Sequence, residues 1–210
     1  MDHPPVDSSR WSRRCFGALL LAVAFAFVGE VAIAQSKAPP AKPWTKLENC
    51  RLLPNKSNDG DSFHVEHEKQ EYIFRLYFVD SPETEADFPE RVSEQAAYFG
   101  ISNEQALALG KDAASFTSKR LAGTLTIHTR FRNALVRSKL PRSYAVAMIG
   151  TDDLAELLVR NGLARIYGTR TPLPDGSDSK TYLKKLKLLE QSARKAKIGA
   201  WRLPQRPTSP

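Results

Sequence analysis

Apolar and polar positions change period several times along this chain, and each change marks an element. Cys50 to Leu53 and Ser62 to Glu66 are short β-like runs. Tyr72 to Val79 is a dense run of aromatic and β-branched residues and predicts the strongest strand. From Ser102 to Leu121 the period becomes helical, with Leu107, Gly110, Ala114, Thr117 and Leu121 at spacings of three and four, although a glycine inside the run weakens its first half. Thr124 to Arg130 and Tyr144 to Ile149 predict two more strands. Asp153 to Arg160 predicts a helix, with Asp153 and Glu156 at capping-box spacing and Gly162 beyond its end. Thr181 to Lys197 predicts a long basic helix with Leu183, Leu186, Leu189 and Ala193 on one face. Five short strands, a helix between the third and fourth, and helices after the fifth predict an α+β, mainly β domain: a five-stranded OB barrel with about three packing helices.

The first residues do not fit that domain. Arg10, Arg13 and Arg14 precede an apolar run from Cys15 to Val28, followed by Ala32-Ile33-Ala34. That order predicts a signal peptide over residues 1–34, cut before Gln35. The run is shorter than the roughly 20 residues of a spanning helix. Ser12-Arg13-Arg14-Cys15-Phe16 resembles a twin-arginine export motif and leaves the route open. Residues 35–46, rich in Pro, Lys and Ala, predict a linker; 47–202 the domain; and 203–210, with three prolines, a loose tail. An exported protein, periplasmic or extracellular, is expected, acting as a monomer and free of the membrane after cleavage.

The leader carries three acidic and three basic residues, so the remainder keeps the whole net charge of +8. Such a balance suits an anionic partner such as nucleic acid. Of the two cysteines, Cys15 lies in the leader, so Cys50 has no intramolecular partner after cleavage. The domain must rest on its apolar core.

Two clusters carry candidate chemistry. Asp59-Gly60-Asp61 sits at the turn into the second strand, and Arg75 through Asp80-Ser81-Pro82-Glu83 spans the end of the third. On a regular strand Arg75 and Asp80, five apart, face opposite ways, so they share a site only if the strand bends or ends before Asp80. Phosphodiester hydrolysis needs a cation, a held water, a base and fixed donors for the equatorial oxygens. Asp61 and Asp80 are hard oxygen ligands suited to calcium or magnesium. Glu83 can orient or deprotonate the water, and Arg75 and Arg142 offer bidentate forks for phosphate. Each cluster also has an ordinary reading: a turn, a helix start, a structural ion pair.

From Asp59 to Trp201 the chain resembles the staphylococcal (micrococcal) nuclease family. Asp59-Gly60-Asp61-Ser62 is similar to its Asp-Gly-Asp-Thr turn; Phe74-Arg75-Leu76 and Val79-Asp80-Ser81-Pro82-Glu83-Thr84 to its central strand and following turn; Leu158 to Ala164 to its second helix and turn. Lys139 and Arg142 fall on its basic loop. The resemblance implies a calcium-dependent endonuclease that cuts DNA and RNA and leaves 3′-phosphates. It implies calcium on Asp61, Asp80 and the Ser81 carbonyl, with Asp59 in support; a water held by Glu83; and the scissile phosphate clamped by Arg75 and Arg142. Lys139 and Tyr167 are the implied substrate-binding residues. The chain departs from the family in three places. Leu140 and Pro141 replace a tyrosine and a glycine. Tyr167 comes one place early, with Gly168 at the matching position. The stretch from Glu83 to Gly110 is longer.

Thr84 to Leu109 carries five acidic residues and one basic residue, Arg91. It can form a rim along the site, with a helix over Pro89 to Tyr98, or pack away and brace the next helix. His64, His67 and His128 are read as ordinary surface or core histidines. A non-catalytic OB module that binds nucleic acid is the competing reading; degenerate copies would be expected to have lost part of the set Asp61, Arg75, Asp80, Glu83 and Arg142, and all five are present here.

Overall fold

A computed structural model describes residues 42–134 and 140–205. The expected signal peptide, most of the linker, Lys139 and the last five residues lie outside the described residues. Strands β1 (Thr45–Leu52), β2 (Ser62–His67), β3 (Gln70–Leu76), β5 (Thr124–Asn133) and β6 (Arg142–Ile149) form one sheet in the order β3-β2-β1-β5-β6. A parallel pairing of β3 with β6 closes it into the expected five-stranded OB barrel. β7 (Asp152–Asp153) turns back to pair antiparallel with the end of β6, and β4 (Val79–Asp80) pairs with β8 (Arg165–Ile166) as a separate ribbon. Among the described residues four α-helices pack around the barrel: α1 (Pro89–Phe99), α2 (Asn103–Arg120), α3 (Leu154–Arg160) and α4 (Ser179–Lys195).

The barrel is filled by alternate side chains. Phe63, Val65, Phe74, Leu76, Leu125, Ile127, Ala145 and Ala147 point inward, all at 2% exposure or less. β1 starts at Thr45, five residues before the predicted strand. Leu47 and Cys50 are three apart yet both buried, because the register shifts between them and Asn49 adopts a left-handed φ of 55°. That bulge breaks the period of two.

β3 is shorter than predicted, and the reason positions the site. The strand ends at Leu76, and buried Phe78 takes a φ of 70°, a costly conformation for a bulky residue. The strained turn is held on both sides: Phe78 N–H donates to the Thr169 carbonyl at 3.0 Å, and Tyr167 N–H to the Phe78 carbonyl at 2.9 Å. The chain leaves the barrel there and re-pairs as β4 with β8, which brings Asp80 back to Arg75.

α2 starts at a full capping box, Ser102 with Gln105. Its Gly110 lies against the loop after β4. A Cβ there would press into the Pro82 and Glu83 carbonyls, so only glycine allows this approach. α1 is a fourth helix, within the acidic segment. It buries Val92, Gln95, Ala96 and Phe99 and ends on Gly100 in the left-handed conformation. The segment does not simply pack away: α1 sends Arg91 and Gln95 to Asp80 and also packs against α2, the following helix.

Candidate active site

The Asp59–Asp61 turn is fixed by hydrogen bonds within the protein. The Asp59 carboxylate accepts from the N–H groups of Asp61 (2.9 Å) and Ser62 (2.6 Å), and Thr117 Oγ1 donates to the Gly60 carbonyl at 2.7 Å. A Cβ on Gly60 would collide with the Ser81 side chain and Ala113, so the turn is wedged between β4 and α2. Asp61, 2% exposed, receives Arg75 Nη2 at 3.0 Å and Ser81 N–H at 3.2 Å. Burial pushes the Asp61 carboxyl well up and raises that of Asp59 too, with the Arg75 charge working against it.

Asp80, 1% exposed, is the hub of the site. Its Oδ1 takes Arg75 Nη2 at 2.5 Å and Arg91 Nη2 at 3.0 Å; its Oδ2 takes Arg165 Nε at 2.8 Å and Gln95 Nε2 at 3.0 Å. Burial works to raise its carboxyl, but the Gln95 hydrogen bond and three guanidinium groups hold it below the usual range. Gln95, wholly buried, also donates to the Ser81 carbonyl at 3.0 Å and accepts Glu83 N–H at 2.9 Å. Glu83 Oε1 receives Arg91 Nε at 2.7 Å. Thus Asp61, Arg75, Asp80, Ser81 and Glu83 form one hydrogen-bonded cluster.

Arg142 joins this face by strand register. In the parallel pairing Ile73 lies beside Arg142 and Arg75 beside Tyr144, which sets the two arginines on adjacent strands. Arg142 Nη1 donates to Ser62 Oγ at 3.2 Å, and its Nε is buried without an acceptor. Among the described residues no carboxylate pairs with it. Burial and the neighbouring Arg75 charge disfavour its cation, yet a guanidinium stays protonated. The result is a partly desolvated charge that Asp61 and Asp59 offset only at longer range, with no carboxylate in direct contact, a setting that suits a phosphate.

Tyr167, 51% exposed, touches the cluster through Arg165, whose guanidinium carbon lies 4.2 Å from the centre of its ring. Leu140, where the family tyrosine is missing, is exposed. Three residues that sequence reasoning missed build the site: Arg91 and Gln95 from α1, and Arg165 from β8. Arg91 alone carried a signal, as the single cation in an acidic segment.

The donor set suits a hard divalent cation. Asp61 Oδ2 and Asp80 Oδ1 converge on one positively charged atom, Arg75 Nη2, so the pair already holds a cation between two carboxylates. Asp61, Asp80 and the second lone pair of the Ser81 carbonyl would hold the metal.

An OB barrel with arginines and carboxylates gathered at the broken end of its third strand defines a class, the small barrel nucleases. Residues 73–203 match the family described as staphylococcal nuclease homologue, and the chain belongs to that family. The match begins after the Asp59–Asp61 turn, which the fold nonetheless sets against it. A relative named Endonuclease YncB, from Bacillus subtilis (strain 168), is 26% identical over 163 residues, covering 78% of this chain and 66% of the relative. The chain therefore spans just under two thirds of that relative's length.

Proposed function

We propose that the protein is an exported, calcium-dependent endonuclease that hydrolyses phosphodiester bonds of DNA and RNA and leaves 3′-phosphates. The observation that carries this reading is the single cluster of Asp61, Arg75, Asp80, Ser81 and Glu83, with the unpaired Arg142 on the adjacent strand. The family match and the endonuclease-named relative support the reaction class. The basic leader, apolar run and Ala-Ile-Ala sequence support export.

The residues divide the work. Asp61, Asp80 and the Ser81 carbonyl hold the metal, which offsets phosphate charge when bound. Arg75 uses Nη2 for both carboxylates, so the other edge of its fork is left for a phosphate oxygen. Arg142 donates to a second oxygen, and the charge growing on these oxygens in the transition state strengthens both contacts. Glu83 keeps one oxygen clear of Arg91 and holds the attacking water through it.

The test is digestion of end-labelled DNA and RNA by the purified protein with calcium, with magnesium and with chelator, followed by analysis of the new termini. Cleavage with calcium, its loss in chelator, and 3′-phosphate ends are expected. Full activity in chelator refutes the metal role. Binding without cleavage under every condition refutes the enzyme in favour of a binding module.

A further inference from the structure

The four contacts on Asp80 are not equivalent. On Oδ2 the donors are deeply buried: Arg165 has 3% side-chain exposure and Gln95 none. On Oδ1, the oxygen that converges with Asp61, the donors are Arg75 at 16% and Arg91 at 38%. Arg91 is the most exposed member of the cluster, and it stands on the oxygen that the proposed metal needs. Its second contact, Nε to Glu83 at 2.7 Å, ties the residue that holds the water to the same guanidinium. Both contacts come from α1, in the segment that is longer here than in the short family members.

We propose that Arg91 is a positioning residue with two effects that oppose each other: its charge weakens metal binding at Asp61 and Asp80, and its fork fixes Glu83 for turnover. This rests on the calcium reading above. A cation entering between Asp61 and Asp80 meets the Arg91 charge a few ångströms away and must share or take Asp80 Oδ1 from it. Once the metal is in, the Nε–Glu83 contact remains, because it uses a different nitrogen. The geometry requires a guanidinium: an ammonium at the same position supplies the charge but cannot span Asp80 and Glu83 together.

The two effects separate by substitution. Arg91→Ala removes charge and fork; Arg91→Lys keeps the charge and loses the fork. Calcium alone is titrated into the purified protein and both variants by calorimetry, and kcat and KM are measured at saturating calcium. Arg91→Ala is expected to bind calcium at least roughly tenfold more tightly, since one unit charge a few ångströms from a divalent ion acts on about that scale even under water-like screening. Its kcat is expected to fall roughly 10- to 100-fold with little change in KM, as for a misplaced reacting group. Arg91→Lys is expected to keep the parent calcium affinity and share the fall in kcat. A purely structural role would weaken binding and turnover together, and urea midpoints show whether each variant is folded. Calcium binding by Arg91→Ala that is equal to or weaker than that of the parent overturns the proposal. If the parent binds no calcium, gain of binding in Arg91→Ala still supports it, while absence of binding in all three proteins sinks it along with the calcium reading.

Discussion

Gly110→Ala tests how tightly the site loop is held. In an open helix interior this change stabilises by about 1 kcal/mol, since alanine is the better helix former. Here the added carbon would lie 2.7 Å from the Glu83 carbonyl carbon and the Pro82 oxygen, and closer still to the Glu83 oxygen, where ordinary contact begins at 3.4 Å. Every one of these atoms is backbone, so no side chain can swing aside. α2 or the loop must retreat by roughly 1 Å, and overpacking of this kind costs about 1–3 kcal/mol. With the propensity gain set against it, we expect a net loss of up to roughly 2 kcal/mol by urea denaturation. The loop carries Glu83, whose N–H is tied to Gln95, so the retreat moves the site as well. A displacement of about 1 Å near reacting groups lowers kcat by up to roughly 100-fold. Gly123→Ala is the control. Nothing lies within 4 Å of its added carbon, and its φ is not in the left-handed region, so it should be neutral or mildly stabilising and fully active. A Gly110→Ala protein that is more stable than the parent and equally active would refute the close-approach argument.

The arginine clamp predicts that Arg75→Lys and Arg142→Lys each lower kcat roughly 10²- to 10³-fold, the scale of one lost charge-stabilising donor, whereas a change confined to KM in steady-state assays would mean that they only hold substrate. The Asp153 carboxyl N-caps α3 and accepts the Tyr182 hydroxyl at 2.7 Å, and burial pushes it up to about 6. A raised carboxyl favours the folded state when protonated, so its contribution is full below the ordinary carboxylate range and is lost as pH rises to about 6. Asp153→Asn should therefore gain on the parent by up to roughly 3 kcal/mol between pH 4 and 7 in urea denaturation, and parallel pH curves for the two proteins would refute the buried-acid reading.

The barrel was legible wherever strands kept their period. Phe63 and Val65, or Phe74 and Leu76, alternate inward as written in the sequence. It was not legible where backbone conformation broke the rule without a glycine to announce it. Asn49 hid the first half of β1, and Glu68 and Lys69, both with positive φ, turn the β2–β3 hairpin with no sequence mark. Phe78 is the third case and the consequential one. The sequence showed that Arg75 and Asp80 could meet only across a bend, but a phenylalanine does not advertise a left-handed turn. What holds Phe78 there is the segment around Tyr167 and Thr169, some 90 residues further on.

The site divides along the same line. Asp61, Arg75, Asp80 and Glu83 lie within 23 residues of one another, inside motifs with chemistry of their own, and could be read from residue type and spacing. Their partners could not. Arg91, Gln95 and Arg165 reach Asp80 from 11, 15 and 85 residues away, and apart from Arg91, the one cation of an acidic segment, nothing in their own neighbourhoods marks them as site residues. The acidic segment illustrates the cost of reading charge without direction. Its net negative balance does not show where its side chains go: Glu94 turns onto Arg165, and the segment's one cation turns onto Asp80 and Glu83. The side chains that α1 sends into the cluster thus carry a cation and a neutral amide to Asp80. The helix's larger consequence is for how the central carboxylate divides itself between protein cations and the proposed metal.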